Sequence, residues 1–170
     1  GDEPLFLFVH LWDVHYDYEP LPEFDVFDPG YEGPINGREV TELDPPIELG
    51  EKDLARLIAL YDGEIRQTDA TVSALLDVLA RDGVLDDTLV MCGSEFGRTP
   101  TFEFFDGIDG RVENGRDHNP HGFTMWFAGG AVKSGTRYGR TDDFGYYATE
   151  NPVTIHDLHA QMGRNLYEQG

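Results

Sequence analysis

The chain is 170 residues long, and its 33 aspartates and glutamates against 12 lysines and arginines give a net charge of -21 at pH 7. A chain of this length fits one domain that buries about 70% of its extended-chain surface, and such a charge repels phosphate backbones and anionic membranes, which excludes nucleic acid as a partner. The single cysteine, Cys92, excludes an internal disulfide and a cysteine-based zinc cluster, and no apolar run approaches the roughly 18 residues of a membrane span, so no membrane insertion is expected.

Residues 1–164 are read as a single domain. Gly1-Asp2-Glu3-Pro4 leads almost at once into an apolar run, as in a domain cut from something longer, and residues 165–170 resemble a protease-site scar left out of the functional reading. Leu5 to Leu11 is a nearly continuous apolar run of strand length, the pattern of a strand covered on both faces. It empties into a polar knot, Trp12-Asp13-Val14-His15-Tyr16-Asp17-Tyr18. Residues 19–50 hold six prolines among scattered Gly, Asp and Glu, which denies helix and central strand and points to one long loop serving as a lid.

Glu51 to Asp82 carries apolar residues at 54, 57, 58, 61, 65, 72, 75, 76 and 79, the spacing of one helical face. Glu51 and Asp53 suit its first turn, Gly63 is a point of bending or division, and Gly83 is a stop. Asp62, Glu64, Arg66 and Asp69 are read as its solvated face. A buried strand follows at 88–92, then a glycine-flanked loop bearing Ser94, Glu95 and Arg98. Residues 101–120 read as irregular, with Phe102, Phe104 and Phe105 pinning the loop, and they end in Arg116-Asp117-His118-Asn119-Pro120-His121. Gly122 to Ala128 is the next strand, Lys133 to Tyr147 a run of turns or a hairpin, and Pro152, with Asn151 or Thr154 as cap, opens a final helix with the stripe Ile155, Leu158, Met162 and Leu166.

The six histidines fall in close pairs, at 10 and 15, 118 and 121, and 156 and 159. A His pair near carboxylates can hold a metal or act as general acid and base. His10, inside the apolar run, reads as core, whereas His15, in a loop with Asp13 and Asp17, reads as functional. Glu95 has two readings: an ion pair with Arg98, or a carboxylate metal ligand with Arg98 contacting an anionic substrate through its planar fork. Asp117, His118 and His121 supply the mixed oxygen and nitrogen donors that first-row divalent metals accept. His156 and His159 are explained by capping and packing, Cys92 by the core, and Ser94 lacks the Gly-x-Ser-x-Gly surroundings of a nucleophile elbow.

The strings FVHLWDVHYDYEP, FDVFDPGYEG and YDGEIRQTDATVSALLDVLARDGVLDDTLV, over about residues 4–90, resemble the sulfatase family of the alkaline phosphatase superfamily. The step Ser94-Glu95-Phe96-Gly97, with GRDHNPHGFTMWFAGGAVKSGTRYG and TDDFGYYATENPVTIHDLHA, over about residues 88–162, is similar to the domain of unknown function 1501 family. These resemblances imply an α/β fold with a mostly parallel central sheet flanked by helices, present as a C-terminal portion, and a metal-dependent hydrolase of sulfate or phosphate esters. His15 would contact the sulfate. Glu95 would replace the sulfatase aspartate as metal ligand, and His118 or His121 would stand for the third-region His or Lys of relatives. No Cys- or Ser-x-Pro-x-Arg nucleophile segment occurs in these residues.

The combined expectation is His15, Arg98 and His121 as catalytic residues, with His15 and Arg98 also holding substrate. Glu95, Asp117 and His118 would bind a divalent metal, calcium or else zinc or manganese. The substrate would be a small-molecule or polysaccharide ester, and the resemblance favours the periplasm or secretion. Alternatives are a non-catalytic anion- or carbohydrate-binding module of the same fold, and a fused chain whose two patterns change over near Val90. The oligomeric state is left open.

Overall fold

The computed structural model describes residues 5–38, 49–94, 96–101, 103–106, 112–130 and 132–160, with the backbone alone for 103–106 and 112–114. Contacts group the chain into two compact units, Gly1–Asp77 and Val78–Gly170.

The first unit is organised on helix α1, Glu51–Arg81, 31 residues or about 46 Å of continuous helix. Its start has Glu51 and Asp53 in the positive first turn and its end has Arg81 in the last. Gly83, at φ 72°, closes it: Gly83 N donates to Ala80 O at 3.1 Å and Val84 N to Leu79 O at 3.0 Å, a pattern that satisfies the last carbonyls. Gly63 does not divide the helix, which runs unbroken through it. The preceding loop comes close there, since a Cβ would meet Pro20 Cγ at 2.8 Å.

The buried face of α1 is Ala59, Leu60, Gly63 and Glu64, and with Ile35 the two apolar residues make the small core described here. Residues 12–38 form no regular structure and are strapped to α1 by polar side chains. Arg56 pairs with Asp25 through both terminal nitrogens, at 2.6 and 2.7 Å. Gln67 accepts from Leu21 N at 2.8 Å and donates to Asp13 at 2.5 Å, and Tyr31 donates to Asp53 at 2.5 Å. Glu64, read from the sequence as solvated, is only 4% exposed. Its carboxylate accepts the N–H groups of Val14 at 3.0 Å and Glu19 at 2.9 Å, so the loop brings donors that account for a buried acid.

The second unit consists of short strands paired in twos. The 3-10 turn Leu85–Asp87 precedes β1, Leu89–Gly93, which pairs antiparallel with β6, Met125–Gly129. β2, Gly97–Arg98, pairs with β5, His118–Asn119; β3, Glu103–Asp106, with β4, Val112–Gly115; and β7, Arg140–Thr141, with β8, Ala148–Glu150. All four ladders are antiparallel and two-stranded. Residues 155–160 are helical. Thr154 opens this turn, its hydroxyl accepting Asp157 N at 3.3 Å while Asp157 accepts Thr154 N at 2.9 Å, a reciprocal cap.

This architecture corrects the expectation of a mostly parallel α/β sheet flanked by helices. A parallel sheet needs a strand, a crossover helix and a second strand in register. The helix and the second strand, α1 and β1, form as expected. The expected first strand does not: residues 5–11 join no ladder, with 5–10 exposed and Leu11 half-buried, and among the described residues β1 has no parallel neighbour and pairs antiparallel with β6. His10, read as core, is exposed with its neighbours.

Candidate functional site

Two of the predicted residues are brought opposite one another by the shortest ladder. In β2–β5, Arg98 is the register partner of His118, and Gly97 that of Asn119. The ladder is locked by Thr99, 7% exposed, whose N–H donates to Asp117 O at 2.9 Å and whose hydroxyl accepts Asp117 N at 3.0 Å. Gly97 is small for a steric reason, because a Cβ there would run into the carbonyl oxygen of Gly122.

Successive side chains of a strand point to opposite faces, and β5 uses both. His118 stacks on Phe96, with ring centroids 3.8 Å apart and planes 19° apart, and Arg98 lies over the same ring at 5.2 Å. Arg98 Nη1 also donates to Arg116 O at 3.3 Å. One exposed face therefore gathers a guanidinium and an imidazole around a phenyl ring. Asn119 is 1% exposed and turns the other way. Its Nδ2 donates to Tyr146 O at 2.9 Å and Gly145 O at 3.3 Å, and its Oδ1 accepts His121 N at 3.1 Å. Sequence reasoning passed over Asn119, although an Asn-Pro step inside a polar knot is a turn signal.

His121 is held by its backbone, its carbonyl accepting Ala148 N at 3.0 Å, and its ring lies 5.1 Å from that of Tyr147. Asp142 shapes that neighbouring loop by accepting the N–H groups of Phe144, Tyr146 and Tyr147 at 3.1, 2.8 and 3.0 Å. These backbone donors, Tyr146 first, hold its carboxyl below the usual carboxylate range.

His15 belongs to the first unit. It closes a turn, donating its N–H to Trp12 O at 3.2 Å, and its ring lies 4.7 Å from Trp12 and 4.3 Å from Tyr16. Val14 beside it has φ 65°, a strained conformation for a β-branched residue, fixed by the bond to Glu64. Burial pushes the Glu64 carboxyl up, against the opposing effect of its two backbone donors. An open concavity of about 750 Å³ also lies in the first unit, lined by Phe27, Asp28, Tyr31, Lys52 and Asp53 among others, and none of the predicted residues lines it.

The expected metal set fares differently. Glu95 lies outside the described residues. Asp117 and His118 are exposed neighbours, and Asp117 Oδ1 already accepts His118 N at 2.7 Å. Among the described residues no three His, Cys, Asp or Glu side chains come together, so Asp117 and His118 by themselves do not make a metal cage.

The model of one family, described as "Protein of unknown function (DUF1501)", matches residues 55–167, and the chain belongs to that family. The match starts inside α1, upstream of the point near residue 88 where the sequence reading placed its beginning. The sulfatase resemblance over residues 4–90 finds no support from a family model, and no curated protein and no solved structure matches the chain.

Proposed function

We propose that this DUF1501 protein recognises sulfate or phosphate esters, with the exposed face of the β2–β5 ladder receiving the ester anion. One observation carries the reading. In a chain where acids outnumber bases 33 to 12, Arg98 has no carboxylate partner among the described residues, and it is positioned by Phe96 and the Arg116 carbonyl opposite an exposed histidine. A guanidinium fork matches two oxygens of a sulfate or phosphate group, and an imidazole N–H adds a further donor.

Ester hydrolysis, the chemistry the sulfatase resemblance implies, is the reading for this site. Water would attack the sulfur or phosphorus as its bond to the ester oxygen breaks. Arg98 would bind and orient the non-bridging oxygens, and an imidazole, His118 or His121, would give a proton to the departing oxygen while the proton of the water passes to solvent. A second reading, binding without turnover, is favoured by Ser94, whose hydroxyl donates to Phe96 O at 2.6 Å and is thus engaged away from any base.

The test is binding and turnover of nitrophenyl sulfate and nitrophenyl phosphate by the whole chain, with and without added calcium, zinc or manganese. Arg98→Ala should weaken ester binding by about tenfold or more, the loss of one charge-assisted contact. Unchanged binding would sink the proposal. Release of nitrophenol by the parent chain distinguishes hydrolysis from binding alone.

A further inference from the structure

Among the described residues, 5–12 hold a run of large apolar side chains left in the open. Leu5, Phe6, Leu7, Phe8 and Val9 are 49–87% exposed and Trp12 is 64% exposed. Alternation places Leu5, Leu7, Val9 and Leu11 on one side of the extended chain and Phe6, Phe8, His10 and Trp12 on the other. Both sides are apolar, and residues 5–11 have no backbone hydrogen bond among the described residues. A ligand lying on one face would leave the other face and the polar backbone uncovered. The whole requirement is met by a sheet edge with apolar cover on either side.

The second unit presents such an edge. β1 is a five-residue apolar strand, Leu89 to Gly93, whose single ladder partner among the described residues is β6. Gly130 N donates to Thr88 O and Leu85 O, which continues the β1–β6 ladder past Leu89 and Gly129, and the outer edge of β1 carries no ladder partner among the described residues. Two-stranded sheets are marginal on their own, and Trp126 and Phe127 of β6 remain 39% and 38% exposed. A third apolar strand beside β1 would supply what the sheet lacks.

We infer that residues 5–11 of one chain add as a strand to the β1 edge of a second copy, and that the exchange is reciprocal. The area supports this occupant. The rings of Phe6 and Phe8, 80% and 76% exposed, offer roughly 300 Å², and Leu5, Leu7 and Val9 roughly 200 Å² more. Two donated strands and the sheet surface each covers exceed the roughly 1,600 Å² of a standard stable interface. Reciprocal exchange of one element is also the low-cost route to a closed two-fold dimer. Two chains of net charge -21 repel, so salt should strengthen the pairing.

The experiment measures the mass of the whole chain by sedimentation equilibrium over a range of concentrations, at low and high salt. A dimer that tightens with salt is expected, and Leu7→Glu with Val9→Glu should shift the chain to monomer while the helical circular dichroism of α1 stays. In a second measurement, a Phe8→Cys, Cys92→Ser chain is mixed with the unmodified chain and oxidised. A disulfide from position 8 to Cys92 then joins two copies by construction. A monomer at every concentration, a dimer indifferent to the Leu7 and Val9 changes, or cross-links between two positions 8 only would each overturn the inference.

Discussion

Replacing Glu64 by Gln tests how the first unit is held together. The carboxylate is 4% exposed, with one oxygen accepting Val14 N and the other Glu19 N. Glutamine offers one oxygen and turns an NH2 group towards the second backbone donor, leaving that N–H unsatisfied at a cost of about 1–3 kcal/mol. For a chain of this size that lowers the melting temperature by about 2–4 °C per kcal/mol. The effect has a pH signature. Burial is the main cause that raises the Glu64 carboxyl above its ordinary value, with Asp13 and Glu19 adding to it, while the backbone donors oppose it. A raised folded-state value means that the native chain holds the proton more tightly than the unfolded chain. The contribution of Glu64 is therefore fully present below the ordinary glutamate range and declines as pH rises through the raised value. Glutamine does not titrate. The gap between parent and variant should be widest in acid and should narrow towards neutral pH. Thermal melts followed by circular dichroism at a series of pH values measure it, and a gap that widens with rising pH, or no gap in acid, would refute the reasoning.

Asp25→Asn should remove one arm of a pair whose Arg56 side chain is 12% exposed, costing about 1.5–3 kcal/mol in urea unfolding. Its hydrogen bond to Arg56 lowers the Asp25 carboxyl, so the pair's contribution is present above the ordinary aspartate range and is lost as pH falls through the lowered value. Asn119→Ala strands the His121 N–H and two loop carbonyls and should cost about 1–3 kcal/mol, with the His121 ring resonances shifting in NMR spectra. Asp142→Asn should free the 144–147 backbone, seen as faster amide exchange there. The parent should show the same loosening only in acid, because the lowered carboxyl of Asp142 stays ionised to a lower pH than an ordinary aspartate.

Helix α1 was legible because its information is local. Apolar spacing, acids at the start and glycine at the stop are all read within one turn of where they act, and the observed Glu51–Arg81 lies within one residue of the expected bounds. β1 was legible for the same reason. The straps were not, because Glu64 meets Val14 and Glu19 across 50 and 45 residues, and a helix period gives no sign that a polar position will be covered. Residues 5–11 show the converse. Their pattern is that of a strand covered on both faces, yet the structure leaves the segment outside any ladder and largely exposed, because pattern alone does not say which surface supplies the cover. The parallel sheet, implied by the family resemblance, depended on that missing strand.

The candidate site was legible to the extent that the polar knots were, and the two-residue ladder explains why no more could be read. Arg98 and His118 are 20 positions apart and face each other only because Thr99 and Asp117 exchange hydrogen bonds, and neither of those residues had been singled out as a structural lock. The same ladder separates two duties usually entangled at a binding site. His118 is exposed and stacked on Phe96, while Asn119, the next residue, is buried and ties β5 to the loop at 145–147. Alternation along the strand thus puts an exposed imidazole on one face and a buried, hydrogen-bonded amide on the other. It follows that His118→Ala should weaken ester binding with the unfolding midpoint nearly unchanged, whereas Asn119→Ala should move the midpoint first. If both substitutions changed stability and binding in the same proportion, the exposed face would be part of the packing rather than a surface held ready for an anion.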